Sequence, residues 1–295
     1  LKNSKKEKSF AGKLTIHQKS AIRGYMFLLP WIIGFIVFTA FPFFYSIYLS
    51  MSKVTITPTG IVTQWNGFNN YWDIFTKDVD FLPALTDSIV FVGLSTPLII
   101  VASLLIALML NKQFKGRTVF RAIYFLPVII MSGPVLSELL ANKAVNIIQP
   151  TKFAIYEFFR SLPLNLGAPI LYLFDKIIII LWFSGVQILI FLAGIQKIDK
   201  ALYEAAQIDG ASSWVIFWKI ILPQIRPLIL VNTIYTIVDL ATFPTNAINV
   251  EISSKMFQTG RVYSYSAAMS WIYSLIILAI LGVAFLILKE RKSQP

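Results

Sequence analysis

The chain has 295 residues, 57% of them apolar and only 14% charged, with a mean hydropathy of +0.71. Soluble domains carry roughly 25% charged residues, so a water-facing globule is excluded and an integral membrane protein is expected. With no cysteine and one histidine, His17, disulfides and Cys/His metal sites are excluded as well, and the +12 net charge, scattered without a basic tract, fits cytoplasmic loops and not a nucleic-acid surface.

A spanning helix needs about 20 apolar residues. Residues 1–24 form a basic tail, and residues 25–50 hold no charge and supply the first span. That stretch is too long for the apolar region of a signal peptide and has no small-residue cleavage site behind it, so it reads as retained. The stretch WNGFNNYWDIF (65–75) is rich in aromatics and Asn. Anchoring at the membrane interface is its default role, with contact to an external partner or solute left open. Residues 88–110 give the second span. Residues 122–137 give a shorter third, continuing past Glu138 and bent by Pro127, Gly133 and Pro134. The segment 142–175 carries no pattern we can match. Residues 177–196 form the fourth span, 227–243 the fifth, interrupted near its end by Asp239, and 262–288 the sixth, before a tail over 289–295.

Charge sets the orientation. Of the 26 Lys and Arg, 18 fall in 1–24, 111–121, 197–226 and 289–295, and 8 in the longer set 51–87, 141–176 and 244–261. Cytoplasmic segments carry the Lys/Arg excess, so both termini and the 197–226 loop are placed in the cytoplasm. The expected architecture is all-α and polytopic, with six transmembrane helices in one domain over 25–288.

The 197–226 loop is not itself a span. Asp199 is a candidate N-cap for a helix over 200–208, and Ala201, Leu202, Ala205 and Ile208 fall on one face. Gly210 follows Asp209 and can end that helix in the left-handed conformation. Ser212 or Ser213 can cap the next helix, in which Trp214, Phe217, Trp218 and Ile221 recur at helical spacing. Pro223 and Pro227 then end or kink the chain as it enters the fifth span. Periodicity leaves two roles open for this apolar stripe: anchoring on the inner membrane surface, or docking to a cytoplasmic protein.

Two polar clusters interrupt the spans. In the fifth, Asn232, Tyr235, Thr236 and Asp239 share one helical stripe. A carboxylate at depth costs about 2.5–3.5 kcal/mol on insertion scales. Asp239 is therefore either functional or held in a structural hydrogen bond, and the stripe faces protein or a water-filled cavity. In the fourth, Trp182, Ser184, Gly185 and Gln187 form the other cluster.

Several motifs carry a family likeness. Glu204-Ala205-Ala206, Asp209-Gly210-Ala211, Phe217, Ile220, Leu222-Pro223 and Pro227 resemble the EAA loop of permease subunits of binding-protein-dependent ABC importers. Leu110-Asn111, Lys115-Gly116-Arg117, Arg121 and Tyr124-Phe125-Leu126-Pro127 resemble the sugar-importing (maltose and multiple-sugar) branch. So do Trp65, Gly67, Phe68, Asn70 and Tyr71, and Phe191-Leu192-Ala193-Gly194-Ile195-Gln196 running into Leu202-Tyr203-Glu204. The likeness spans nearly the whole chain and implies a type I importer permease in a bacterial-type plasma membrane. It implies that the short loop helices are coupling helices, with Glu204, Ala205, Ala206, Asp209, Gly210 and Ala211 in a groove of a cytoplasmic ATPase. Glu204 would pair with polar groups there, and Gly210 would allow the tight turn. The implied partners are a second and different permease, two ATPase subunits that hold the ATP and Mg, and an external solute-binding protein; a homodimer is the other arrangement.

The likeness also implies that the helices flanking the loop line the solute path. Trp182, Gln187, Asn232, Tyr235, Thr236, Asp239 and Phe243 are then the pathway candidates, with Glu138 a weaker one. Aromatic faces stack on sugar rings, and amides and carboxylates bond the hydroxyls. One departure is that many sugar permeases carry a Gly-rich segment after the fifth span, where this chain reads LATFPTNAINVE. No catalytic set and no phosphate-binding glycine loop is visible, so an enzyme is not expected and no cofactor is expected in this chain. The competing reading is a self-sufficient secondary transporter or channel with Asp239 as its ion or proton site. The first and last three spans show no inverted repeat to support it, and a self-powered carrier has no ATPase for such a loop to grip.

Overall fold

The computed structural model describes residues 16–58, 60–112, 114–130, 160–161, 180–257 and 263–289, with side chains given from residue 24 and, in the 114–130 segment, up to residue 124. Glu138, the far part of the third span, the loop 142–175 and the start of the fourth span lie outside the described residues, apart from 160–161. Four described helical runs are long and apolar enough to cross a membrane: Gly24–Ser50, Phe81–Asn111, Ser213–Ser254 and Ser264–Leu288. Each runs close to an expected span, and together they make the protein a multi-pass membrane protein.

The chain divides into two compact units, Leu1–Lys77 with Ile252–Trp271, and Asp78–Glu251 with Ile272–Pro295. The first contains α1 (Ile16–Phe35), a π-helical segment Ile36–Ala40 and α2 (Phe41–Ser50). The side chains of Gly24–Ser50 are almost wholly exposed, as a lipid-facing helix requires. Phe43 packs edge-on against Trp271 at 5.1 Å, and the Trp271 indole N–H donates to Ser46 Oγ at 3.2 Å. A hairpin follows, β1 (Ser52–Thr57) antiparallel to β2 (Gly60–Trp65) with Ser52 opposite Trp65 and Thr57 opposite Gly60. The all-α expectation missed this pair, although KVTIT and IVTQ are β-branched runs around a Pro58-centred turn. Helix α3 (Asn69–Thr76) follows the hairpin in this unit.

The second unit is built on α4 (Phe81–Asn111), α5 (Arg117–Ile130) and α6 (Gly185–Gln196), with the short α7 (Lys200–Ile208) and α8 (Ser213–Ile216). A π-helical segment Phe217–Ile221 leads into α9 (Leu222–Thr242), followed by α10 (Ala247–Ser254) and α11 (Ser264–Leu288), whose residues are divided between the two units at 252 and 272. Asp78 caps α4, its carboxylate accepting the N–H groups of Asp80 and Phe81, each at 3.1 Å. Helix α4 packs on α6 and α9, and these two pack on each other. Their seam is a buried cluster of Ile100, Leu104, Ala107, Ile188, Phe191, Ile195 and Ile225, among others. Membrane helices gain little from hydrophobic exclusion and rely on close packing. Gly194 provides it here: a Cβ at that position would stand 2.0 Å from Leu228 Cδ1.

Candidate functional site

The 197–226 loop is two capped helices resting on the α4–α6–α9 core. The Asp199 carboxylate accepts the Ala201 N–H at 3.0 Å and starts α7, as the sequence predicts. The end of α7 is a Schellman turn. The Gly210 N–H donates to Gln207 O at 3.0 Å, and the Ala211 N–H to Ala206 O at 2.9 Å. Gly210 sits at φ +78° with open space where a Cβ would go, so backbone conformation alone makes glycine the fitting residue. There an L side chain costs about 1–2 kcal/mol. Ser212 Oγ then accepts the Val215 N–H at 3.4 Å to start α8.

The two sides of this loop differ. Tyr203, Phe217, Ile220 and Ile221 are half-buried and pack against the core cluster. Burial pushes the Tyr203 phenol above its ordinary value of 10.0. On the outer side α7 buries nothing. Ile208 is 86% exposed, and Ala201, Leu202, Glu204, Ala205 and Asp209 are exposed as well, while Ala206 and Ala211 are half-buried. Trp214 and Trp218, in edge contact at 5.5 Å, are also exposed. The stripe read from the sequence therefore splits. Its Phe217 and Ile221 positions serve the chain's own core, together with the buried Ile216 that the spacing did not single out.

The intramembrane polar residues form a clamp between α6 and α9. Gln187 Nε2 donates to Thr236 Oγ1 at 2.8 Å, Asn232 Nδ2 to the Gln187 carbonyl at 3.3 Å, and Thr236 Oγ1 to Asn232 O at 2.7 Å. All three residues are fully buried. Tyr235 is exposed on another face of α9, Asp239 and Trp182 are half-buried, and Phe243 packs edge-on against Phe183 at 4.9 Å. No hydrogen bond among the described residues joins Trp182, Tyr235 or the Asp239 carboxylate to the clamp. The structure thus brings together Gln187, Asn232 and Thr236, and holds the other four candidates apart from that clamp. An apolar groove of about 360 Å³ between α4, α9 and α11, lined by Val92, Thr96, Ile229, Ile237 and Ile280 among others, includes none of the pathway candidates.

A second knot, at the end of α9, was missed in the sequence. Asn246 Nδ2 donates to Leu240 O at 3.2 Å and to Tyr273 OH at 3.3 Å, while Ser88 Oγ donates to Asn246 Oδ1. Tyr273 OH donates to Ala241 O at 3.1 Å, and Asn249 Nδ2 to Ala241 O and Phe243 O, each at 2.8 Å. The side chains of Tyr273 and Asn249 give Ala241 O its partners at the helix end, and the two amides add to the backbone bonds that Leu240 O and Phe243 O already accept. The signal was the pair of asparagines three residues apart after Pro244 in LATFPTNAINVE.

Apolar helices long enough to cross a membrane, packed around the α4–α6–α9 core, define a multi-pass membrane subunit. The chain belongs to the family described as the binding-protein-dependent transport system inner membrane component, which it matches over residues 79–290. It is 30% identical to the probable ABC transporter permease protein YesP of Bacillus subtilis, covering 94% of this chain and 92% of that one. It is 28% identical to the lactose transport system permease protein LacF of Rhizobium radiobacter, over 92% and 95% of the two chains. To the trehalose/maltose transport system permease protein MalF of Thermococcus litoralis it is 30% identical, over 75% and 74%. A solved chain of a bacterial ABC transporter that imports the acidic polysaccharide alginate shares the fold, with a TM-score of 0.61 at 23% identity, over 94% of this chain and 98% of that one. Family members are permease subunits and not enzymes; ATP hydrolysis belongs to a separate chain.

Proposed function

We propose that the chain is one transmembrane half of an ATP-driven importer that receives a carbohydrate from an external solute-binding protein and releases it into the cytoplasm by alternating access. The observation that carries this reading is the 197–226 loop, fixed to the membrane core on one side and presenting an uncovered α7 on the other. In this reading Glu204, Ala205, Ala206, Asp209, Gly210 and Ala211 sit in a groove of a cytoplasmic ATPase. Closure of an ATPase pair around ATP and Mg draws the loop toward its counterpart on a second, different permease. Six spans with both termini cytoplasmic, in a bacterial-type plasma membrane, complete the arrangement. The lactose and trehalose/maltose systems among the relatives support a carbohydrate, as does the alginate importer of similar fold. Family membership disfavours a self-sufficient carrier using Asp239.

The solute path would run along α6 and α9, lined by Trp182, Gln187, Asn232, Tyr235, Thr236, Asp239 and Phe243. Gln187, Asn232 and Thr236 are paired with one another here. They would meet solute hydroxyls only when the α6–α9 seam opens, whereas Trp182, Tyr235, Asp239 and Phe243 keep accessible surface. Gly210→Pro tests the coupling role. Proline cannot adopt φ +78° and has no N–H to give Gln207. Membrane insertion should stay normal while solute uptake and transport-coupled ATP hydrolysis fall to background; full uptake would refute the reading.

A further inference from the structure

Helix α3 buries its polar face and turns its aromatic face outward. Asn70, Asp73 and Ile74 are buried, while Phe68 and Trp72 are each 70% exposed and Phe75 is 53% exposed. At about 100° per residue, the two sets centre on opposite sides of the helix. A water-facing helix would show the reverse pattern.

The position of α3 along the membrane normal is fixed by hydrogen bonds. Asn70 Nδ2 donates to Ser50 O at 2.9 Å and to Ser52 O at 2.8 Å, and Tyr71 OH pairs with Ser50 Oγ at 2.8 Å. Ser50 is the last residue of the apolar helix Gly24–Ser50. Those 27 residues rise about 40 Å at ~1.5 Å each, against a hydrocarbon core of ~30 Å. Upright and centred in the bilayer, this run would place Ser50 about 5 Å beyond the hydrocarbon, within the headgroup layer, and α3 is tied to Ser50.

The exposed aromatic surface of the span also continues to this place. Phe41 stacks on Tyr45 at 5.8 Å, Tyr45 on Tyr48 at 6.0 Å, and Tyr48 meets Trp65 at 6.2 Å. Trp65 is itself 66% exposed and lies three residues before Phe68. An exposed aromatic ladder thus runs off the end of the span onto the hairpin and ends at Trp65, close in the chain to α3.

We propose that α3 is an interfacial anchor, lying on the membrane surface with Phe68, Trp72 and Phe75 in the boundary between headgroups and acyl chains. Aromatic rings favour this layer, and an amphipathic helix in it buries its apolar face by roughly 5–10 Å. Which leaflet this is follows from the orientation proposed above; the contact with lipid does not depend on it. The anchor holds the outer end of the first span at a set depth through Asn70 and Tyr71.

The absence of cysteine makes the test direct. Trp72→Cys, Phe75→Cys and, as the polar flank, Asn69→Cys would each carry a bimane label in the full chain reconstituted into phosphatidylcholine–phosphatidylglycerol vesicles. Labels at 72 and 75 should be quenched at least about twofold more by lipid brominated near the headgroup than by deeply brominated lipid, and weakly by aqueous iodide, with 69 showing the opposite preference. Iodide quenching at 72 and 75 equal to that at 69 would overturn the proposal. Protection from both quenchers would overturn it too, since protein would then cover the face. Trp72→Phe gives a second reading that keeps an aromatic ring in place. It should lower the fraction of intrinsic tryptophan emission that shallow bromolipid quenches, and an unchanged fraction would count against an anchored α3.

Discussion

Placing a single methyl group at position 194 tests the seam on which the loop stands. The Cβ of Gly194→Ala would sit 2.0 Å from Leu228 Cδ1, where carbon atoms rest at about 3.5–4.0 Å. Leu228 must leave its rotamer or α6 must back away from α9, and overpacking of this kind costs about 1–3 kcal/mol. Against it stands the helix preference of alanine over glycine, up to about 1 kcal/mol. The expected net effect is a destabilisation of about 0–3 kcal/mol. Leu228→Ala alone removes a half-buried side chain, at the low end of the ~2–5 kcal/mol for a fully buried leucine. In that background the clash is gone, and Gly194→Ala should change sign and stabilise. Denaturant or thermal melts of the four variants in detergent give the coupling energy, expected at about 1–3 kcal/mol. An equal effect of Gly194→Ala in both backgrounds, with coupling under about 0.5 kcal/mol, would refute close packing at this crossing.

Gln187→Leu should destabilise by about 0.6–1.7 kcal/mol, the range for hydrogen bonds between membrane helices, because it removes the side-chain donor to Thr236 Oγ1, while Asn232 Nδ2 keeps the backbone carbonyl of residue 187. The double variant with Thr236→Val should lose less than the sum of the singles in the same melts. Asp199→Ala removes the cap of α7, costing about 0.5–2 kcal/mol locally; hydrogen exchange over residues 200–208 should quicken while α9 stays protected.

What could be read in the sequence was governed by short-range rules. Asp199, Gly210 and Ser212 act within a few residues of themselves, so their roles as cap, left-handed turn and cap were visible in the text of the chain. Long apolar runs announce spans for the same reason. The clamp was half legible: the stripe 232, 235, 236, 239 marked one face of a helix. Nothing in it said that Gln187, 45 and 49 residues away, would take Asn232 and Thr236 and leave Tyr235 and Asp239 aside. Ser88 and Asn246 meet across 158 residues, and no local pattern encodes such a meeting. The hairpin at 52–65 was legible from its β-branched alternation, but the apolar signal on either side outweighed it.

The packing beneath the loop has a mechanical consequence. Tyr203, Phe217, Ile220 and Ile221 seat α7 and the π-helical segment before α9 on the same cluster that joins α4 to α6. Tyr203 is the α7 side chain through which Ile208 and Glu204 are tied to this cluster. In the coupling role proposed above, the short helices would act as the arm of a crank whose axle is the Leu228–Gly194 crossing. Stiffness at the bearing decides how much of a stroke arrives, so softening mutations in that cluster should waste motion even where both ends of the machine are intact.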